Sequence, residues 1–286
     1  MVSVLIPVYN QFVSLDSVLW HFSRQTTNES FEIIIVDDGS TESDQAVIAR
    51  YPMLQIRYFA NKENYGRAFT RNVAIEHAHG EYLIFCDCDR LPAPDFIDAH
   101  LEIIRTNANL LSIGLVTETY ENVADLYTAV EKISRRKAIY YRVISSIFDN
   151  DGLTDSNLCW LATFSGNMAM NKNMLMKNRF DCDFQVWGFE HFELGYRLWK
   201  EQMVFFLNSR AENIHIAHPR ATGFYQECIA NSYKLFYGKH PNQEIYPLED
   251  FILGRISLQE YEEKICSKAK WLQKKKSPVY VKSLNL

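Results

Sequence analysis

Nowhere in this 286-residue chain does an apolar run approach the ~18 residues that cross a bilayer, which argues against an integral membrane protein. Among the six cysteines no Cys-x-x-Cys spacing occurs, which removes the usual pattern of a structural zinc site. Cys86 and Cys88 sit two apart at the end of an apolar run, where a relaxed disulfide does not close easily. A reduced compartment is therefore expected. A basic excess is also lacking. The net charge is -5, which argues against the footprint of a nucleic-acid binder. No signal peptide precedes the first apolar run, so the expected location is the cytoplasm. No internal repeat occurs, and the only biased tract is the lysine-rich stretch 264–282, with Lys274-Lys275-Lys276. It reads as a solvated tail, or as a peripheral contact with an anionic membrane surface or polyanionic acceptor.

What is present is an ordinary globular balance of 47% hydrophobic and 23% charged residues. Aromatics reach 14%, which serves core packing or stacking on sugar and base rings. The length suits one large domain, or a nucleotide-binding domain with a second part fused to it. Residues 2–6, 31–36, 54–59 and 81–86 read as strands, the third more alternating and so nearer an edge. Helix-period stretches lie between them. Leu15, Val18, Leu19 and Phe22 share a face, a capping-box pattern at Thr41-Glu42-Ser43-Asp44 opens a helix toward Arg50, and 66–78 is helical. Pro92 and Pro94 precede a helix through Ile104. Further on, 122–142 reads as a charged helix. Residues 203–207 read as a strand followed by a linker. Ser257-Leu258-Gln259-Glu260 caps a last helix.

Mostly apolar strands separated by helices predict an α/β fold with a mostly parallel, Rossmann-like sheet covered on both faces. Ligands bind such sheets at the carboxyl ends of the strands. The polar residues there are Tyr9-Asn10, Asp37-Asp38-Gly39-Ser40 and Asp87-Cys88-Asp89. Two aspartates straddling one residue at a strand end place both carboxylates on one side. One can bind a divalent cation beside a diphosphate, the other sugar or ribose hydroxyls. An Asp-x-Asp arises by chance about once in a chain this long. It recurs here at Asp149-Asn150-Asp151 and Asp181-Cys182-Asp183, neither of which follows a clear buried strand. Tyr9 suits stacking on a base or packing on a helix. Asp38 suits a base N–H or a turn. Arg67 and Arg71, around a helix start, suit a diphosphate or a surface ion pair.

In order and spacing, Val4-Leu5-Ile6-Pro7-Val8-Tyr9-Asn10, Val36-Asp37-Asp38-Gly39-Ser40-Thr41, Asn64-Tyr65-Gly66 with Arg71-Asn72, and Asp87-Cys88-Asp89 resemble family 2 glycosyltransferases. The resemblance covers roughly residues 1–105 strongly. It implies a GT-A fold, a nucleotide-sugar donor, often UDP-linked, and inversion at the anomeric carbon. It implies donor contacts from Pro7, Tyr9, Asp37, Asp38, Asn64, Arg67, Arg71, Asp87, Cys88 and Asp89. Tyr9 and Asp38 would hold the base. Phe164-Ser165-Gly166-Asn167-Met168-Ala169 and the segment from Trp187-Gly188-Phe189-Glu190-His191 to Leu198 resemble acceptor-side motifs of chondroitin-polymerase-type and β-galactosyltransferase-type enzymes. There Ser165, Gly166 and Asn167 would line the meeting point of donor and acceptor, and Trp187 would join the donor contacts. In those enzymes an acidic pair follows the Trp-Gly, and its last Asp is the base. Here His191 stands at that place, which leaves the role open between His191 and Glu190. A histidine from the region of His215-Ile216-Ala217-His218 completes the metal site in the resembled enzymes. His215 matches better and His218 is the fallback. Asp89 with either suits Mn²⁺, or Mg²⁺.

The expectation is an inverting, metal-dependent glycosyltransferase acting on a glycan, lipid-linked, peptide or small-molecule acceptor. Residues 1–110 would bind the nucleotide sugar, 111–225 would hold the acceptor and catalytic groups, and 226–286 would form a helical C-terminal extension. A nucleotide-sugar-forming nucleotidyltransferase is the alternative, but it needs a Gly-rich basic loop after the first strand, and Gln11-Phe12-Val13-Ser14 is neither. A non-catalytic nucleotide-sugar-binding module is the third reading.

Overall fold

The structure, a computed structural model, describes residues 1–42, 45–185, 188–218, 224–273 and 277–281. Its first half is a parallel sheet. Strands β1 (Val2–Val8), β2 (Phe31–Asp37), β3 (Ile56–Ala60) and β4 (Tyr82–Cys86) run in the order β3-β2-β1-β4. Helices α1 (Phe12–Phe22), α2 (Ala46–Ala49) and α3 (Arg67–His77) connect them. Apart from the buried pair Ser3 and Glu32, β1 and β2 are mainly aliphatic and buried on both faces, which is why they read as continuous rather than alternating. The alternating β3 is half-buried at the sheet edge, as expected. Helix α2 starts later than its capping-box pattern suggests, with Gln45 at its cap; Ser43 and Asp44 lie outside the described residues.

The second half makes the sheet mixed. After β5 (Arg90–Pro92) and α4 (Phe96–Ile104) come β6 (Leu110–Thr119), β7 (Arg136–Lys137), α5 (Ile139–Ile144) and β8 (Asn167–Asn171). Then follow α6 (Lys172–Lys177), α7 (Glu190–Lys200), β9 (Val204–Ile216), α8 (Phe224–Lys239), α9 (Leu248–Ile252) and α10 (Leu258–Lys264). Strand β8 lies antiparallel between β4 and β6, β9 runs parallel to β6, and β5 closes the far edge antiparallel to β9. The same sheet thus carries strands from both sides of residue 110. Apolar side chains of α8, α9 and α10, among them Phe236, Phe251 and Tyr261, join the core on one face. Among the described residues no helix is long and apolar enough to cross a membrane.

Two expectations are corrected. Residues 122–142 do not form one helix. They make short 3-10 turns at Val123–Leu126 and Val130–Lys132, the strand β7, and the start of α5. Leu126, Val130 and Ile133 are buried one by one rather than as a stripe, and Arg135 and Arg136 are drawn to Glu212 and Glu118 on the sheet. The segment after residue 207 is not a linker either. Strand β9 continues through a register shift opposite Gly114 and Leu115, and so delivers His215 to the site. Asn167 fills this irregularity. Its Nδ2 donates to the carbonyls of Leu115 and Ala211, both at 3.0 Å. A Cβ at Gly114 would lie 2.0 Å from Asn167 Oδ1, so only glycine fits there.

Candidate active site

At the carboxyl ends of β1, β2 and β4 lies a cleft of about 250 Å³. Pro7, Tyr9, Asp38, Asn64, Arg67, Asp87, Cys88 and Asp89 line it, together with Gln11, Thr70 and Gln185, which sequence reasoning missed. Asp38 is buried and accepts from Tyr65 N at 3.0 Å, Gly66 N at 2.9 Å and Asn61 Nδ2 at 2.8 Å. It therefore shapes the turn into α3. Gly66 has φ 89°, and a Cβ there would sit 2.8 Å from Gln185 O, so the turn depends on glycine. Asp37 is placed differently. Its oxygens accept from Ser40 N and the Tyr58 hydroxyl, and it lines neither cleft described here.

A second cleft of about 300 Å³ adjoins the first, and Arg67, Asp87 and Asp89 line both. Ser165, Gly166, Glu190, His191, His215 and His218 also face it, with Arg90 and Glu118. Arg71 lines neither cleft. It is 1% exposed and bridges Asp87 Oδ1 and Glu190 Oε1, each at 2.9 Å. Burial alone would raise the Asp87 pKa, but Arg71, Arg90 and Arg67 outweigh it and bring it down to about 2. Burial acts on Glu190 in the same way. The neighbouring His191, with Arg71 and Arg67, overrides it and holds this carboxyl well below the usual range. His191 Nδ1 stands 3.6 Å from Glu190 Oε1. Arg67 is exposed at the shared corner, at the first position of α3, where the free N–H groups and helix dipole favour an anion.

Asp89, His215 and His218 converge at the same corner. One ligand atom from each lies within 4.8 Å of the others. Asp89 Oδ2 is 3.7 Å from His215 Nε2 and 3.9 Å from His218 Nδ1. Burial, aided by Arg90, lowers the His215 pKa to about 4, which leaves a neutral imidazole with a free lone pair. His218 Nε2 is buried with no hydrogen-bond partner among the described residues. A carboxylate and two imidazoles fit Mn²⁺ better than Mg²⁺, which prefers oxygen alone.

The other two Asp-x-Asp patterns are structural. Asp149 Oδ1 accepts from Asp151 N and Leu153 N within its turn, and Asp181 and Asp183 both pair with Lys239. Asn167 lies beneath the site rather than in it, fully buried and engaged in the sheet. Trp187 lies outside the described residues. Arg90 was adjacent to Asp89 in plain view. Its role comes from β5 pairing with β9, which sets Arg90 opposite His215, and a three-residue strand leaves no periodicity to read.

The model of glycosyl transferase family 2 matches residues 3–180. The chain is 28% identical to chondroitin synthase of Escherichia coli over 226 residues, 71% of this chain and 33% of that protein. It is 27% identical over 257 residues to the uncharacterized glycosyltransferase YfnE of Bacillus subtilis, 76% of this chain and 65% of that one. The chain thus spans about a third to two thirds of the length of these relatives. Among solved structures it resembles S. aureus TarS 1-349 in complex with UDP-GlcNAc, with a TM-score of 0.58 at 15% identity over 92% of this chain and 70% of that one. It also resembles the mannosyltransferase PcManGT of Pyrobaculum calidifontis in complex with GDP-Man and Mn²⁺, with a TM-score of 0.59 at 16% identity over 83% of this chain and 63% of that one. The fold is that of the GT-A glycosyltransferases, and the chain belongs to glycosyl transferase family 2.

Proposed function

We propose that the chain is an inverting, metal-dependent glycosyltransferase that moves a sugar from a UDP-linked donor to an acceptor hydroxyl. The observation that carries this reading is the meeting of two clefts at Arg67, Asp87 and Asp89, with two histidines beside Asp89. One cleft is lined by groups that suit a nucleotide diphosphate, and the other opens onto His191. Support for a nucleotide sugar comes from TarS, solved with UDP-GlcNAc, and for manganese from PcManGT, solved with GDP-Man and Mn²⁺.

In this reading Tyr9 and Asp38 hold the base, Arg67 and the α3 N-terminus take the diphosphate, and Asp87 faces ribose or sugar. Asp89, His215 and His218 would hold Mn²⁺, or Mg²⁺, which would supply positive charge against the departing diphosphate. His191 accepts the proton of the acceptor hydroxyl as that oxygen bonds the anomeric carbon and the bond to the diphosphate breaks. Glu190 is a poor base, because Arg71 and His191 hold it ionised far below neutral pH. Its carboxylate instead faces His191 Nδ1 and stabilises the imidazolium. We assign donor binding to residues 1–110, acceptor and catalytic groups to 111–225, and a helical extension to 226–286. Lys264, Lys268 and Lys270 are exposed and suit a peripheral anionic contact; Lys274, Lys275, Lys276 and Lys282 lie outside the described residues. A cytoplasmic site of action accords with the free cysteines.

The test is a screen of UDP- and GDP-sugars with Mn²⁺, reading nucleoside diphosphate release across an acceptor panel. Asp89→Ala should abolish release and Mn²⁺-dependent donor binding. Wild-type turnover in that variant without metal sinks the mechanism. Pyrophosphate release from a nucleoside triphosphate would point to the nucleotidyltransferase instead.

A further inference from the structure

The two clefts differ in chemistry. Asp38, Asn64, Arg67, Thr70 and Gln185 give the first cleft hydrogen-bonding groups along its wall. In the second, the polar groups are those of the reaction centre with Arg90 and Glu118, and much of the remaining wall is hydrocarbon. Tyr140, Phe164 and Phe192 make one aromatic cluster there, with ring centroids 5.8 Å and 5.9 Å apart. The Tyr140 hydroxyl donates to Leu161 O at 3.0 Å, so its proton is not free for a ligand. The C-terminal extension supplies an aliphatic part from three separate places: Ile229 on α8, Ile252 on α9, and Val281. Val281 follows a segment tied to α10, where Leu258 N donates to Val279 O and Val279 N to Gln259 Oε1, both at 2.8 Å.

Aromatic faces can stack on the C–H face of a sugar. Aliphatic side chains cannot return the hydrogen bonds that sugar hydroxyls lose with water, and each hydroxyl buried without a partner is costly. The group that lodges against Ile229, Ile252 and Val281 therefore carries few hydroxyls. We propose that the acceptor is amphipathic, with its reacting hydroxyl on a polar head and an aliphatic aglycone seated against Ile229, Ile252 and Val281. This inference rests on the reading of the site as a glycosyl-transfer centre. The aliphatic wall is continuous with the cleft that holds His191 and Asp89.

The test titrates n-alkyl β-D-glucosides, methyl through hexyl and below micelle-forming concentrations, into the full chain by calorimetry without donor. Affinity should rise about fourfold per added methylene while the chain lengthens along the wall. Ile252→Asp, at a half-buried position, and Val281→Ser should each flatten the series, with thermal unfolding confirming that the variants fold. A flat series in the wild type overturns the proposal. So does an unchanged slope in either folded variant. A slope that emerges only after deletion of residues 282–286 also overturns it, since the wall would then seat the chain's own terminus. A steep series with no transfer from any donor would retire the glycosyl-transfer reading and leave an amphipathic ligand. A flat series with transfer would retire only the aglycone.

Discussion

Arg71 on α3 and Glu190 at the start of α7 are 119 residues apart in sequence, and their side chains meet at 2.9 Å with 1% and 3% exposure. The other terminal nitrogen of Arg71 holds Asp87. One buried guanidinium thus ties Asp87, which lines both clefts, to Glu190, which lines the second. Removing it takes the leading counter-charge from Asp87 and leaves Glu190 with His191 and Arg67 alone. Arg71→Met should lower stability by about 3–5 kcal/mol in urea unfolding. Arg71→Lys should recover little, because a point charge cannot fork between two carboxylates. An unfolding midpoint close to wild type in Arg71→Met would show that the bridge is not a stabilising element.

The same bridge separates the roles of Glu190 and His191. His191→Ala should reduce kcat by about 10²–10⁴-fold, the range of a lost general base, with donor affinity nearly unchanged. His191→Asp should retain part of the rate, since a carboxylate there can also accept the proton. Glu190→Gln should slow turnover less than His191→Ala and alter its pH profile, because it acts through the imidazole. If Glu190→Gln alone removes turnover and His191→Ala does not, the two roles are reversed.

Much of the N-terminal half was legible in the sequence. Strands β1, β2 and β4 are buried on both faces, so they are mostly apolar and the polar residues that end them stand out. Other features are fixed only by the tertiary fold. Asp37 and Asp38 are neighbours, and strand alternation turns one toward Tyr58 and the other toward the cleft, which no local pattern distinguishes. Arg71 read as a diphosphate ligand because its partner Glu190 is remote in sequence. Asn167 read as a ligand-facing residue because a bulge between β6 and β9 is invisible until the strands are paired. The segment 122–142 misled through its charge density, which reflects ion pairs to the sheet rather than a solvated helix face.

Beneath the site, His100 is fully buried on α4. Asn167 donates its amide to two carbonyls, so its Oδ1 accepts from His100 Nε2–H at 3.0 Å, and His100 Nδ1 accepts from the Ser112 hydroxyl at 2.9 Å. Burial holds this imidazole neutral, with a pKa lowered to about 4. His21, also buried, is lowered to about 4 mainly by burial. Unfolded, both titrate near 6.5. The folded state therefore binds fewer protons below that value, and their stability contribution is complete above pH ~6.5 and falls toward pH ~4. Each should cost about 2 kcal/mol between pH 7 and pH 5. Urea midpoints across that range should fall, and His100→Gln should flatten the slope by one histidine's share. An unaltered slope would place the proton uptake elsewhere.

Gly166 packs where the corner shared by the two clefts has no room. A Cβ there would lie 2.4 Å from both Arg90 Nε and Asp87 Oδ2. The backbone cannot retreat easily, because Asn213 Nδ2 donates to Gly166 O at 2.7 Å from a fully buried position. The cheaper response is for Arg90 and Asp87 to move, and Asp87 is shared by both clefts. Gly166→Ala should therefore cost about 1–3 kcal/mol of stability, the usual penalty of overpacking. It should cost more in function, about 10²-fold in kcat/KM, because a displacement near 1 Å misaligns the reacting groups. Kinetics with the donor found by the screen, alongside thermal unfolding, separate the two effects. Unfolding loss with wild-type kcat/KM would mean that the glycine serves packing alone, and that the position of Asp87 does not limit transfer.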